Sequence, residues 1–95
     1  MHARVTRFKG EPANVEEGIR NIKENIAPNA KKMAGFKHGY WVVDRKTGEG
    51  FAMTVFGSEA DIAASEDGAK KLRAQAETTG NRITSVERYE VVAES

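Results

Sequence analysis

Two residues of this chain, His38 and Tyr40, could move a proton from within a regular element. His38 is one of two histidines, and it falls inside an expected strand; His2 is terminal. An imidazole titrating near neutrality is suited to general-base work. The chemistry it would support is proton abstraction from a weakly acidic group, with His38 or Tyr40 as the polar group. No acidic partner that would orient His38 can be assigned, and a hydrogen-bonded or half-exposed histidine on an interface fits the same residue.

Trp41, Phe51 and Met53 are the residues that could wall an apolar site beside that group. Trp41 is the single tryptophan, and aromatic side chains anchor cores as readily as they stack on ligands. The later helix is rich in alanine (Ala63, Ala64, Ala69, Ala74 and Ala76). Small side chains either let a helix sit close to the sheet or leave a hole beneath it. Arg4 and Arg88 are further polar candidates on strands, with Tyr89 beside Arg88. Arg4 could pair with a carboxylate across the sheet or hold an anionic substrate, and the sequence leaves both open.

Composition removes whole classes of function. No cysteine is present, which excludes disulfide frameworks, thiolate metal sites and cysteine nucleophiles. Two histidines without clustered carboxylates give no metal-ligand spacing, so no metal is expected. None of the glycines forms a phosphate-binding loop. Fifteen Lys plus Arg against fourteen Asp plus Glu leave a net charge of +1, a balance that argues against a dedicated nucleic-acid surface. No stretch resembles a signal peptide or is long enough to span a bilayer. The expectation is a single cytoplasmic domain, residues 1–95.

The elements that must position these residues follow from periodicity. Residues 2–9 read as a strand with Ala3 and Val5 on one face and Phe8 on the other. A helix opens at Pro12 or Asn14, and Val15, Ile19, Ile22 and Ile26 follow at spacings that make one stripe. Pro28 is expected to end or kink that helix near Ala27, with a last turn through Met33 and Gly35 as the stop. Residues 36–45 and 49–56 read as a hairpin through the three-residue loop Lys46-Thr47-Gly48. That register pairs Arg45 with Glu49. It places Trp41, Val43, Phe51, Met53 and Val55 on one face, and His38, Tyr40, Val42, Ala52, Thr54 and Phe56 on the other. Ser58 caps a second helix, divided near Gly68 and closed by Gly80, and residues 82–92 form the last strand.

The order β-α-β-β-α-β defines an α+β, ferredoxin-like fold: a four-stranded antiparallel sheet with two helices on one face. The opposite face is left bare although the hairpin is apolar on both sides. Bare apolar area of this kind marks an interface, so the chain is expected to pair with itself as a homodimer, sheet on sheet.

Several segments carry a family resemblance: Ala3-Arg4-Val5-Thr6, Gly35-Phe36 to Tyr40, Asp44-Arg45-Lys46-Thr47-Gly48, Ser58-Glu59-Ala60-Asp61-Ile62 and Ser85-Val86-Glu87-Arg88-Tyr89-Glu90-Val91. Together they resemble the dimeric α/β-barrel proteins of the antibiotic-biosynthesis-monooxygenase-like superfamily. The resemblance implies a pocket in each subunit between the sheet and its own helices. Some relatives use that pocket to oxidise aromatic polyketides or quinols with O2 and without metal or flavin; others bind or degrade haem. The haem-degrading branch has an Asn on the first strand, a Trp near the end of the third and a His on the second helix. Here the first strand has no Asn, the third ends in Phe56-Gly57, and residues 58–79 contain no His. The resemblance therefore implies a monooxygenase-like protein without a cofactor, acting on a small aromatic or polyketide-like compound. A non-catalytic ligand-binding or stress-related dimer is the alternative.

Overall fold

The computed structural model describes residues 1–95. Strand β1 (His2–Lys9) leads through a 3-10 turn (Pro12–Asn14) into helix α1 (Val15–Asn21), a π-helical turn (Ile22–Ile26) and helix α2 (Ala27–Lys31). The hairpin β2 (Phe36–Val43) and β3 (Glu49–Phe56) follows, then helices α3 (Glu59–Ala64) and α4 (Glu66–Glu77) and strand β4 (Arg82–Glu90). The strands form one four-stranded sheet in the order β2-β3-β1-β4, with every neighbouring pair antiparallel. This is the ferredoxin-like arrangement expected from the element order.

Arg4, Thr6 and Phe8 alternate along β1 toward the helices, and Ala3, Val5 and Arg7 point away. Ala3, Val5 and Val55 are buried on the face away from the helices, while most of the core lies on the helix side. Phe56 is fully buried there and meets Phe36 edge to face at 5.9 Å between ring centroids. Ile62 of α3, Ile26 of the π-helical turn and Ala30 of α2 are buried as well.

Pro28 does not stop the first crossover at Ala27. The helical path continues to Lys31. Proline has no N–H to give the carbonyl four residues earlier, and its ring collides with that carbonyl in an α-helix. The chain answers by widening one turn: the Ala27 N–H donates to the Ile22 carbonyl five residues back, so the ring is accommodated without ending the helix.

The second crossover divides at Ser65, not at Gly68. The Ser65 hydroxyl donates to the Ile62 carbonyl (2.8 Å), and a side chain that bonds the preceding turn competes with helix propagation. Gly68 lies inside α4, where a Cβ would stand 3.0 Å from the Met33 methyl. The expected cap of this crossover is formed, with Ser58 Oγ accepting from the Asp61 N–H (3.1 Å). Ser58→Ala should cost about 1 kcal/mol of stability, measurable by urea denaturation; a change within about 0.2 kcal/mol would show that the cap contributes nothing.

The hairpin register differs by one residue from the sequence expectation. Asp44, not Arg45, faces Glu49, its N–H donating to the Glu49 carbonyl (2.8 Å). The loop therefore has four residues, Arg45 to Gly48. Asp44 starts it early because its Oδ1 accepts from the Lys46 N–H (2.8 Å), an Asx turn that replaces a ladder pairing. Gly48 takes the left-handed conformation (φ 78°) with its nearest backbone neighbour at Gly10, as a bulged turn requires. The expected Arg45–Glu49 pair is absent. Arg45 Nε instead reaches Glu16 (2.8 Å), and Glu49 lies 3.7 Å from Lys9 Nζ.

Candidate functional site

The one-residue shift decides which side chains share a face. Trp41 pairs with Ala52, Tyr40 with Met53, Val42 with Phe51 and His38 with Val55. Because paired residues lie on the same side of a sheet, Trp41 turns toward the helices, while Phe51, Met53, His38 and Tyr40 turn away. Trp41 is thus the one member of the expected apolar wall on the helix side. Phe51 and Met53 do not join it, and His38 and Tyr40 are exposed on the opposite surface.

Between sheet and helices lies an apolar cavity of about 70 Å³. Its floor is Thr6 and Phe8 from β1, Trp41 from β2, Ala52 and Thr54 from β3 and Ile83 from β4. The first crossover roofs it with Ile22, Ile26, Ala30 and Met33. Helix α4 supplies Ala69, Leu72 and Ala76, so the two inward alanines leave space rather than close it. Trp41 can lie along the floor because Gly39, its neighbour two residues back, has no Cβ; one built there would stand 2.7 Å from the indole ring. Gly50 likewise makes room for Phe8, whose ring would stand 2.8 Å from an added Cβ.

Two arginines, Arg4 and Arg73, also line the cavity, and no Asp, Glu, His, Lys or Tyr does. Arg4 is 3% exposed. Its Nη2 donates to the Ile62 carbonyl (3.0 Å), Ser65 Oγ (3.0 Å) and Glu66 Oε2 (3.1 Å). Its guanidinium lies 5.7 Å above the Phe56 ring, a favourable placement of a cation on an aromatic face. Glu66 also accepts from Arg73 Nη2 (2.7 Å) and Arg88 Nη2 (3.1 Å). One carboxylate therefore serves three guanidinium groups.

The electrostatics follow from that crowding. Burial lowers the proton affinity of Arg4, and while Glu66 opposes this, Arg73 and Arg88 reinforce it. At Glu66, partial burial pushes the pKa up, but hydrogen bonds from Arg73 and Arg88 and the charges of Arg4 and Arg73 outweigh it and hold the carboxyl below its ordinary value. Within this cluster two side-chain polar atoms remain buried without protein partners, Arg4 Nε and Arg73 Nη1; a third, His2 Nδ1, lies outside it.

Sequence reasoning named Arg4 and left its role between an ion pair and an anion site; it did not name Arg73 or Glu66. The available signal was parity: Arg4 alternates with Thr6 and Phe8 on the inner face, and Glu66 and Arg73 are seven residues apart on one helix, two turns along the same side. No group of three or more His, Cys, Asp or Glu residues is placed to hold a metal ion. No helix is long and apolar enough to cross a membrane.

The four-stranded antiparallel sheet with paired helices over one face is a fold that this chain shares with known structures. Known structures that share it include a candidate antibiotic biosynthesis monooxygenase from Deinococcus radiodurans (TM-score 0.77, 10% identity, covering 100% of this chain and 96% of that one). HapK from Hahella chejuensis is similar over the same shares at TM-score 0.78 and 8% identity. SnoaB, a cofactor-independent oxygenase from Streptomyces nogalater, matches at TM-score 0.68 and 15% identity over 98% of this chain and 94% of that one. No protein-family model and no curated protein sequence matches the chain.

Proposed function

We propose that this protein is a cofactor-independent, monooxygenase-like enzyme that oxidises a small aromatic or polyketide-like compound, acting as a homodimer in the cytoplasm. The observation that carries the reading is the cavity itself: an apolar chamber floored by Trp41, with two arginines as its charged groups. A fold shared with a cofactor-independent oxygenase adds support. The reaction that suits such a chamber begins with an activated methylene flanked by aromatic rings or carbonyls. Loss of one proton gives a carbanion or enolate, which adds O2 at carbon. The resulting hydroperoxide, once protonated, loses water and leaves a carbonyl. The net change is one CH2 and one O2 converted to one C=O and one H2O, with the substrate itself supplying the electrons.

The same cavity supports a second reading. It contains no ordinary general base, so a non-catalytic module that binds an aromatic ligand there is also consistent with its chemistry. Oxygen uptake separates the two. Anthrone, which has one activated methylene, should be converted to anthraquinone with stoichiometric loss of O2 by the parent protein. His38 lies across the sheet from the cavity, so His38→Phe should oxidise anthrone within about twofold of the parent rate. Anthrone left unchanged while it quenches Trp41 fluorescence would favour the binding module. A large rate loss in His38→Phe would place the chemistry on the outer face instead.

The homodimer is supported by that outer face. Tyr40 and Tyr89 are 57% and 51% exposed, and Val42 and Phe51 are exposed beside them. Polar pairs interrupt this surface: Arg7 Nε donates to Glu87 (2.8 Å), and the Tyr89 hydroxyl donates to the same carboxylate (2.6 Å). A face of aromatic and aliphatic groups crossed by internally neutralised charges fits a second copy of itself around a two-fold axis.

A further inference from the structure

The geometry points to a ligand that occupies the cavity as an anion: a small planar phenolate or enolate, its oxygen held by Arg4 and Arg73 and its ring in the apolar space beside Trp41. The inference rests on the reading of this cavity as the working site and specifies the class of compound that the site takes.

Three observations converge. The first is hydrogen bonding. All three hydrogen bonds of Arg4 leave from Nη2, and its Nε is buried without an acceptor. Arg73 spends Nη2 on Glu66, and its Nη1 is likewise buried without an acceptor. Each unsatisfied buried donor costs roughly 1–3 kcal/mol, and here two occur on guanidinium groups that line one cavity. An oxyanion reached by both would relieve both.

The second is charge. Arg4, Arg73 and Arg88 converge on the single carboxylate of Glu66. Arg88 is 46% exposed and reaches water, so Arg4 and Arg73 share one carboxylate and keep one positive charge in excess at the cavity. No acidic side chain lines the cavity. Buried charge is costly unless paired, so a ligand bringing one negative charge is favoured over its neutral form.

The third is the rest of the wall. Phe8, Ile22, Ile26, Leu72 and Ile83 line the cavity together with Trp41, which suits a flat hydrocarbon body and excludes a polyanion. The arrangement also changes what the protein must do to generate a reactive anion. Without a base in the cavity, the arginines act by stabilising the deprotonated form, so the proton departs to water and acidic phenols or enols are selected.

The test uses 4-nitrophenol, whose phenolate absorbs in the visible, with neutral nitrobenzene as its control. Titrated against pH in excess protein, bound 4-nitrophenol should ionise about one pH unit lower than the free compound, a tenfold preference for the anion. Nitrobenzene should quench Trp41 with at least roughly tenfold weaker affinity. Arg73→Gln should lose about tenfold in phenolate affinity. Arg88→Gln, which touches the same Glu66 but does not line the cavity, should stay within about threefold of the parent. Equal binding of the two probes, binding of neither, or an Arg73→Gln titration matching the parent would overturn the inference. Oxygen uptake keeps the two readings apart. Anthrone oxidation without anion preference would sink the inference alone; anion preference without oxidation of any enolisable compound would sink the oxygenase and leave the anion site.

Discussion

Glu66→Gln is expected to destabilise the fold by about 2–4 kcal/mol, a loss of roughly 10–20 °C in Tm for a domain of this size. Glu66 is the only carboxylate bonded to Arg4, Arg73 and Arg88. Arg4 cannot escape to water, because its side chain is 4% exposed. Glutamine keeps one acceptor oxygen but replaces the other with an NH2 group, which would face a guanidinium donor across about the same distance. Partial exposure of Glu66, 28%, keeps the cost below that of a fully buried pair. Urea denaturation by circular dichroism measures it, and a loss under about 1 kcal/mol would show that water already satisfies the cluster.

The pH dependence has a definite sign. The folded-state pKa of Glu66 lies below its ordinary value, so the unfolded chain binds the proton more readily. The contribution of Glu66 is therefore fully present above the ordinary glutamate pKa of about 4.3 and is lost as the pH falls through the depressed folded value. The parent should lose stability across that acid window, and Glu66→Gln should show a shallower decline there. Parallel decline in both proteins would assign acid sensitivity to other carboxylates.

Val42→Asp is expected to convert the proposed dimer to monomer, weakening association by about a thousandfold or more. Val42 stands on the outer face opposite Phe51 and is 41% exposed in the single chain, so an aspartate there is solvated in the monomer. In a two-fold interface the substitution occurs twice, and each carboxylate loses its water when the sheets meet. At roughly 2–3 kcal/mol per desolvated charge, the pair outweighs the gain from the surrounding apolar contact. Native mass spectrometry at micromolar concentration reads the result directly. A parent that is monomeric, or a Val42→Asp protein still dimeric with an unchanged circular dichroism spectrum, would remove the outer face as the interface.

Element order, and with it the ferredoxin-like fold, was determined by the sequence alone. Hydrophobic periods of two and 3.6 residues are local properties, and they survive errors at element ends; β3 matched its expected span, while β2 and β4 ended two residues early. Caps such as Ser58 and turn glycines such as Gly48 were legible for the same reason, since each acts through its own backbone. The tertiary structure decided what depends on the parity of one loop. Asp44 closes the β2–β3 turn one residue early, and because side chains alternate with a period of two, this sends Phe51 and Met53 to the opposite face from Trp41. His38 and Tyr40 lie on that outer face too, where alternation along β2 had already set them opposite Trp41. Gly39 and Gly50 carried the missed signal, as they free space beside Trp41 and Phe8. Arg4, Glu66 and Arg73 could be assembled only by folding, because the first lies 62 residues from its carboxylate. Periodicity records which face a residue occupies, but not which charge from another element will meet it there.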